Sequence, residues 1–404
     1  MDFELTPDQK EFRKLVAQYV DGRVAPQAAA LDAAGSFPME IFRELGDLGY
    51  LGMKYPEDVG GGGLSEPNIH YTIFCEELAR ASLGVAASVG VHTSTATYCL
   101  HKLGSAAVKR DYLEPALRGE KIASFALTET EAGSDVSALT TRASRRDGGY
   151  VLDGRKMFIT NATVADLTVV AAKVRESAAG RADLADGQAA GARTAPAGRG
   201  ARESGISLFL VDMHAPGVSV GRKLEKLCIR CSETAELVLD SVWVPEDHLL
   251  GSEGGGFDAV QESLDIDRVM TAAMCIGLAR AALDAATTYT KQRVQFGRPI
   301  CSFQAVRFRL VDMLARLETA RLYTYYAAWL ADQGRRVTLE AALAKNVAGE
   351  AANEIAAMAV STLGGYGLME EYPVARLLRD SYFPLVGGGT VDIMKVVVAR
   401  EMGL

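Results

Sequence analysis

Ser124 to Asp135 reads SFALTETEAGSD, and the character of the chain changes at this stretch. SFALT has the short apolar make-up of a buried strand. Gly133 and Ser134 then supply turn chemistry, a glycine that leaves the backbone open and a hydroxyl that can donate or accept. Upstream the periodicity is helical. Thr6-Pro7-Asp8-Gln9 is a capping-box pattern with Pro at the first helical position, followed by Phe12, Leu15, Val16, Tyr19 and Val20 on one face. PMEIFRELGDLGYLG and NIHYTIFCEELARAS repeat that pattern on either side of the break DVGGGGLS.

Downstream, TTRASRRDGGYVLDGRKMFIT, LTVVAAKV, GISLFLVDM and AELVLDSVWVP are short segments bounded by turns. Asp147-Gly148-Gly149 and Asp153-Gly154 are expected to mark tight turns, and alternation at Leu237 and Leu239 turns one face inward. After Pro245, long apolar periodicities over 257–292, 302–333, 338–363 and 390–402 predict a helix bundle. The expected fold is α+β in three domains: helices over 1–122, a β-sandwich or barrel over 123–245, and helices over 246–404. Within the β block, residues 176–203 (ESAAGRADLADGQAAGARTAPAGRGARE) have too little apolar surface to offset their ordering entropy, and a mobile hairpin insertion is expected there.

A chain of 404 residues, 49% hydrophobic and 23% charged, can bury a large core. Its net charge of -8 argues against a nucleic-acid partner, which requires clustered Lys and Arg. No run of about eighteen uninterrupted apolar residues and no basic-then-apolar leader is present, so a cytoplasmic protein without a membrane span is expected. The six cysteines are scattered, which fits reduced thiols. Cys228 and Cys231 have C-x-x-C spacing, but no second such pair or histidine cluster accompanies them, so no metal site is expected.

Four separated segments, in order and over nearly the whole chain, resemble the acyl-CoA dehydrogenase family. The first is FALTETEAGSD, with Thr130 where the family usually has Pro; the second is Lys156-Met157-Phe158-Ile159-Thr160. The third, Arg293-Val294-Gln295-Phe296-Gly297-Arg298-Pro299 with Phe303-Gln304, is the most specific. The fourth is Leu363-Gly364-Gly365-Tyr366-Gly367, followed by Glu371-Tyr372-Pro373-Val374 and Arg379-Asp380. The resemblance implies FAD. It places Phe125, Leu127, Thr128, Gly133, Ser134, Phe158 and Thr160 about the flavin, with Ser134 also touching the thioester. It gives Arg293, Phe296 and Gln304 to the diphosphate and adenine of a neighbouring subunit, and adds Ser361, Gly364, Gly365, Thr390 and Asp392 to the FAD contacts. Arginine's forked donors suit phosphate, and glycines allow close backbone approach. A homo-oligomer, at least a dimer and by resemblance a tetramer, follows from the shared site.

The family's reaction takes a proton from the carbon α to a thioester while hydride leaves the β carbon, which requires a carboxylate. Many members carry it in a Y-E-G-T segment, but here Gly387-Gly388-Gly389-Thr390 puts Gly388 at that position. The isovaleryl-CoA and long-chain branches take a Glu from an L-D-x-E-R segment; Leu264-Asp265-Ile266-Asp267-Arg268 matches it with Asp267 in the Glu's place. Asp267 is therefore the candidate base, shorter than Glu by about 1.5 Å, and its competing reading is an ion pair with Arg268 or a helix cap. Cyclic-acyl relatives place an acid earlier, yet Gly84 to Val108 contains no Asp or Glu. Asp265, Arg268 and Gly388 are substrate-binding candidates, whereas His92 is expected to be packed. The resemblance implies an acyl-CoA substrate and an electron-transfer flavoprotein as acceptor. Gly388 and the short Asp267 keep three alternatives open: a carrier-protein substrate or reductase direction, a flavin oxidase or monooxygenase, and a flavin-binding homologue without turnover.

Overall fold

The computed structural model describes residues 4–175 and 205–404; the insertion expected over 176–203 lies outside the described residues. Thr6 caps the first helix, Pro7–Tyr19, in both directions: its hydroxyl accepts from the Gln9 N–H and its own N–H donates to the Gln9 side chain. The helix Pro67–Ala81 is buried along most of its length and packs on the long helix Gly256–Gln292. A Cβ at Gly277 would stand 2.1 Å from the Glu76 carbonyl oxygen, so only glycine permits that crossing.

Buried at the same crossing, Glu76 and Glu77 meet Arg13, Arg280 and Arg321, and Tyr325 donates to Glu76. Burial alone would raise the Glu77 pKa, but Arg280 and Arg13 outweigh it and hold the carboxyl down at about 2. This network ties the first helix to the C-terminal bundle, so the two helical domains share one apolar core.

Between them lie, among the described residues, eight strands: β1 Ala123–Ala126, β2 Arg142–Arg146, β3 Gly149–Thr160, β4 Leu167–Arg175, β5 Ile206–Asp212, β6 Val218–Lys223, β7 Thr234–Pro245 and β8 Leu249–Leu250. They form one mixed sheet in the order β6-β7-β3-β2-β4-β5-β8, with β1 parallel to β4. Tyr150 of β3 packs edge-on against Phe209 of β5, with ring centroids 5.0 Å apart. Since β2 and β4 separate those strands in the sheet, the sheet bends over its own core. β8 pairs with β5, which carries the sheet five residues beyond the expected boundary at 245.

The turn at Asp147-Gly148 joins β2 to β3, whereas Asp153-Gly154 is not a turn. Gly154 sits inside β3 at a bulge in the pairing with β7, where a Cβ would come 2.4 Å from the Thr141 hydroxyl. An isolated glycine within a strand marks a bulge or a close approach, and here it marks both.

The bundle's long helices are Gly256–Gln292, Gln304–Asp332, Thr338–Leu363 and Val391–Glu401, within about two residues of the expected bounds. The first is long and apolar enough to cross a membrane, but 78% of its apolar stretch is buried inside the protein, as in a core helix.

Candidate active site

The loop after β1 is fixed from within. The Glu129 and Ala132 amides each donate to the other's carbonyl, and Glu129 points inward with 4% of its surface exposed. One carboxylate oxygen accepts from the Thr140 N–H and hydroxyl; the other accepts from the Thr141 pair and from Lys156 Nζ at 2.9 Å. Burial pushes the Glu129 pKa upward, but Lys156 and the two threonines overcome it and hold the group at about 2. With Glu129 anchored, Gly133 and Ser134 are exposed, and a Cβ on Gly133 would meet nothing within 4 Å.

β3 is locked to this loop: Met157 N–H donates to the Thr128 carbonyl at 2.9 Å, and Lys156 Nζ to the Leu127 carbonyl at 3.1 Å. A second bulge between Lys156 and Ile159 turns Phe158 out of the sheet, at φ 60° and 65% exposed. Phe158 is therefore not part of the core. A non-glycine residue in the left-handed region at a bulge is a feature of functional sites. Phe125, Leu127 and Thr160 are half-buried around the same loop.

A second feature is an open groove of about 550 Å³ in the C-terminal domain, lined in part by Arg293, Gln295, Ser361, Gly364, Gly365 and Tyr366. Arg293 ends the 256–292 helix and its guanidinium lies over the Tyr366 ring, 5.5 Å from the centroid. Gly364 has φ 63°, and neither it nor Gly365 would place a Cβ within 4 Å of another group, so bare backbone faces the groove. The structure thus brings Arg293, Ser361, Gly364 and Gly365 together. Phe296 stands apart at the tip of the following hairpin, 93% exposed, and Gln304 opens the next helix, also exposed. Thr390 caps the last helix by accepting from the Ile393 N–H, and Asp392 is exposed beside Lys395.

The third cluster holds the candidate base. Arg268 pairs with Asp265 at 2.7 Å, and the Thr338 hydroxyl donates to the other Asp265 oxygen at 2.5 Å. The ion pair considered for Asp267 therefore belongs to Asp265, one helical turn from Arg268 and on its face. Asp267 has no ion pair within 4 Å among the described residues, and its one hydrogen bond is from the Ser94 hydroxyl to Oδ1 at 3.2 Å. Ser94 arrives on a wide π-type turn, Val91–Ala96, a distortion frequent at functional sites.

A Cβ at Gly388 would stand 3.3 Å from Asp267 Oδ2, so the helix carboxylate and the turn at Gly388 approach each other closely. Lys345 Nζ donates to the Gly389 carbonyl and holds that turn. Burial raises the Asp267 pKa above 3.8, while Ser94, Arg268, Lys54 and Lys345 draw it back. Sequence reasoning missed Ser94, Lys345 and Lys54, whose neighbours come from distant segments.

His92 is fully buried, its Nδ1 accepting from the Ala123 N–H and its Nε2 bonded to the Ala116 carbonyl. Burial drives its pKa down to about 4, so it is a neutral packing element. Cys231 is buried and burial pushes its thiol up to about 12, too high for a reactive thiolate.

An exposed aromatic forced out of a bulge, an open Gly-Ser turn beside it, and a glycine-lined groove with an arginine fit a flavin nucleotide. Comparison with known proteins agrees. The acyl-CoA dehydrogenase N-terminal, middle and C-terminal domain families match residues 6–120, 124–242 and 254–403. The chain is 41% identical over 403 residues to benzylmalonyl-CoA dehydrogenase of Aromatoleum aromaticum, covering 100% of both. It superimposes on butyryl-CoA dehydrogenase from Megasphaera elsdenii with a TM-score of 0.90 at 36% identity, covering 100% of each chain. It also matches a chain in the solved structure of the electron transferring flavoprotein of Acidaminococcus fermentans, with a TM-score of 0.90 and 34% identity over 100% of this chain and 99% of that one. The chain belongs to the acyl-CoA dehydrogenase family, FAD-dependent oxidoreductases that act on CH–CH groups.

Proposed function

We propose that this enzyme carries out α,β-dehydrogenation of an acyl thioester, with Asp267 as the base that takes the α proton. The observation that carries the assignment is the approach of Asp267 Oδ2 to the Gly388 position, 3.3 Å from where a Cβ would begin. A side chain at 388 would fill that space. With glycine there, the shorter aspartate reaches the same point from the helix, which answers the loss of one carbon-carbon bond. Ser94 holds Oδ1 and leaves Oδ2 without a hydrogen-bond partner among the described residues, so one oxygen is oriented and the other is free to accept a proton. Burial raises the basicity of the carboxylate, while Ser94 and the nearby cations favour its ionised form.

Bound FAD would supply the acceptor for the hydride leaving the β carbon. In this reading Phe125, Leu127, Thr128, Gly133, Ser134, Phe158 and Thr160 hold the flavin end. Arg293, Ser361, Gly364 and Gly365 hold the phosphate end, with Phe296 and Gln304 serving a neighbouring subunit and Thr390 and Asp392 closing the site. Asp265 and Arg268, paired and buried, stiffen the base's helix and line the substrate side. The electrons pass to an electron-transfer flavoprotein.

The test is anaerobic mixing of the FAD-loaded enzyme with acyl-CoAs of different length and branching. Wild type bleaches the flavin with at least one of them, and Asp267→Asn retains FAD without bleaching. Bleaching of Asp267→Asn at the wild-type rate refutes the base assignment.

A further inference from the structure

Lys54 follows Leu51-Gly52-Met53, a buried stretch, and its Nζ is out of solvent with no hydrogen-bond partner among the described residues. The ammonium lies 4.8 Å from the centroid of the Tyr71 ring and 5.6 Å from that of Tyr55. Tyr71 in turn bonds Thr93, the neighbour of Ser94, and reaches Met270 Sδ at 3.3 Å. Through Tyr71, Thr93 and Ser94, Lys54 is linked to the surroundings of Asp267, within electrostatic reach of that carboxylate but not in contact with it.

The charges around it do not balance. Lys54, Lys345 and Arg268 face the carboxylates of Asp265 and Asp267, and one of these is already paired with Arg268. The nearby thiols of Cys75 and Cys275 are pushed up to about 12 by burial and stay neutral. A buried ammonium without a counter-charge is costly, and ring faces offset only part of that cost. The reading above puts the thioester's reacting carbons beside Asp267, so the anion that completes Lys54 is on the acyl group.

We propose that the substrate's acyl group bears a carboxylate and that Lys54 binds it. The proposal rests on the acyl-thioester reading above. It makes Lys54 the specificity-determining residue, selecting a carboxyacyl thioester over a plain aliphatic one. Burial draws the Lys54 pKa down to about 8, still protonated at neutral pH, and a bound carboxylate favours the charged form further.

The test is calorimetric binding to the FAD-loaded enzyme of malonyl-, succinyl- and 3-thiaglutaryl-CoA, each against its methyl ester; the sulfur of the last blocks dehydrogenation. At least one acid should bind tighter than its ester by about tenfold or more, the scale of a buried charge pair. Lys54→Met, checked for FAD content and melting temperature, should erase that ratio while leaving ester affinity near wild type. Esters binding wild type as tightly as the acids overturn the proposal whether or not the variant folds, and so does an unchanged ratio in a folded Lys54→Met. If neutral acyl-CoAs still bleach the flavin in that case, the dehydrogenase reading stands alone. If no thioester binds, both fall.

Discussion

Glu129 and Asp267 are both inward-facing carboxylates, yet their surroundings differ. Both oxygens of Glu129 are occupied, by Thr140, Thr141 and Lys156, whereas Asp267 has one oxygen held by Ser94 and the other without a hydrogen-bond partner among the described residues. The first is held down at about 2 and the second is raised above 3.8. A fully satisfied carboxylate serves as a fastener, since its lone pairs are spent on holding a loop. A half-satisfied one keeps proton-accepting capacity. Two inward-facing acids are thus separated by the Lys156 charge and hydrogen bonds at Glu129 and by burial at Asp267.

Substitutions can break this comparison from either side. Asp267→Asn should have the largest effect, lowering the rate of flavin reduction by about a thousandfold with the melting temperature near wild type. Glu129→Gln should act on stability instead. Leaving Lys156 without its counter-charge costs about 3 kcal/mol, seen as a lower melting temperature and weaker FAD retention in equilibrium dialysis. Because the folded-state pKa of Glu129 lies below its ordinary 4.5, the stability it contributes is complete above that pH and is lost as pH falls toward about 2. A melting series through that window should show wild type converging on Glu129→Gln.

The smallest effect is expected for Ser94→Ala, which frees Oδ1 and slows reduction by about tenfold. It should also move the acid limb of kcat/KM upward, because a hydrogen bond that favours the ionised form is gone. An unchanged pH profile would show that Ser94 is only packed there.

The difference between these two regions also marks what was legible in the sequence. The helices followed from spacing: Thr6 and Gln9 announced a cap that the structure forms in both directions, and the long bundle helices begin and end close to their periodic stretches. Gly154 was misread because Asp-Gly signals a hairpin turn only when strands fold back at it, and here β3 runs straight through. The pairing of Asp265 with Arg268 was open to inspection, since residues three apart on a helix share a face and adjacent ones do not. Ser94 and Lys54 were not, because the bond of Ser94 to Asp267 and the electrostatic reach of Lys54 depend on tertiary packing of three segments and on a π-type turn that no local pattern declares.

Exchange of the α protons of 3-thiaacyl-CoAs, with and without a terminal carboxylate, with deuterated water, followed by mass spectrometry on the anaerobic FAD-loaded enzyme, tests the role of Asp267 most directly. It reads proton removal apart from the redox step. Wild type should exchange the α position, and Asp267→Asn, with FAD bound and the fold intact, should not. Exchange in Asp267→Asn at the wild-type rate would contradict the assignment of the base.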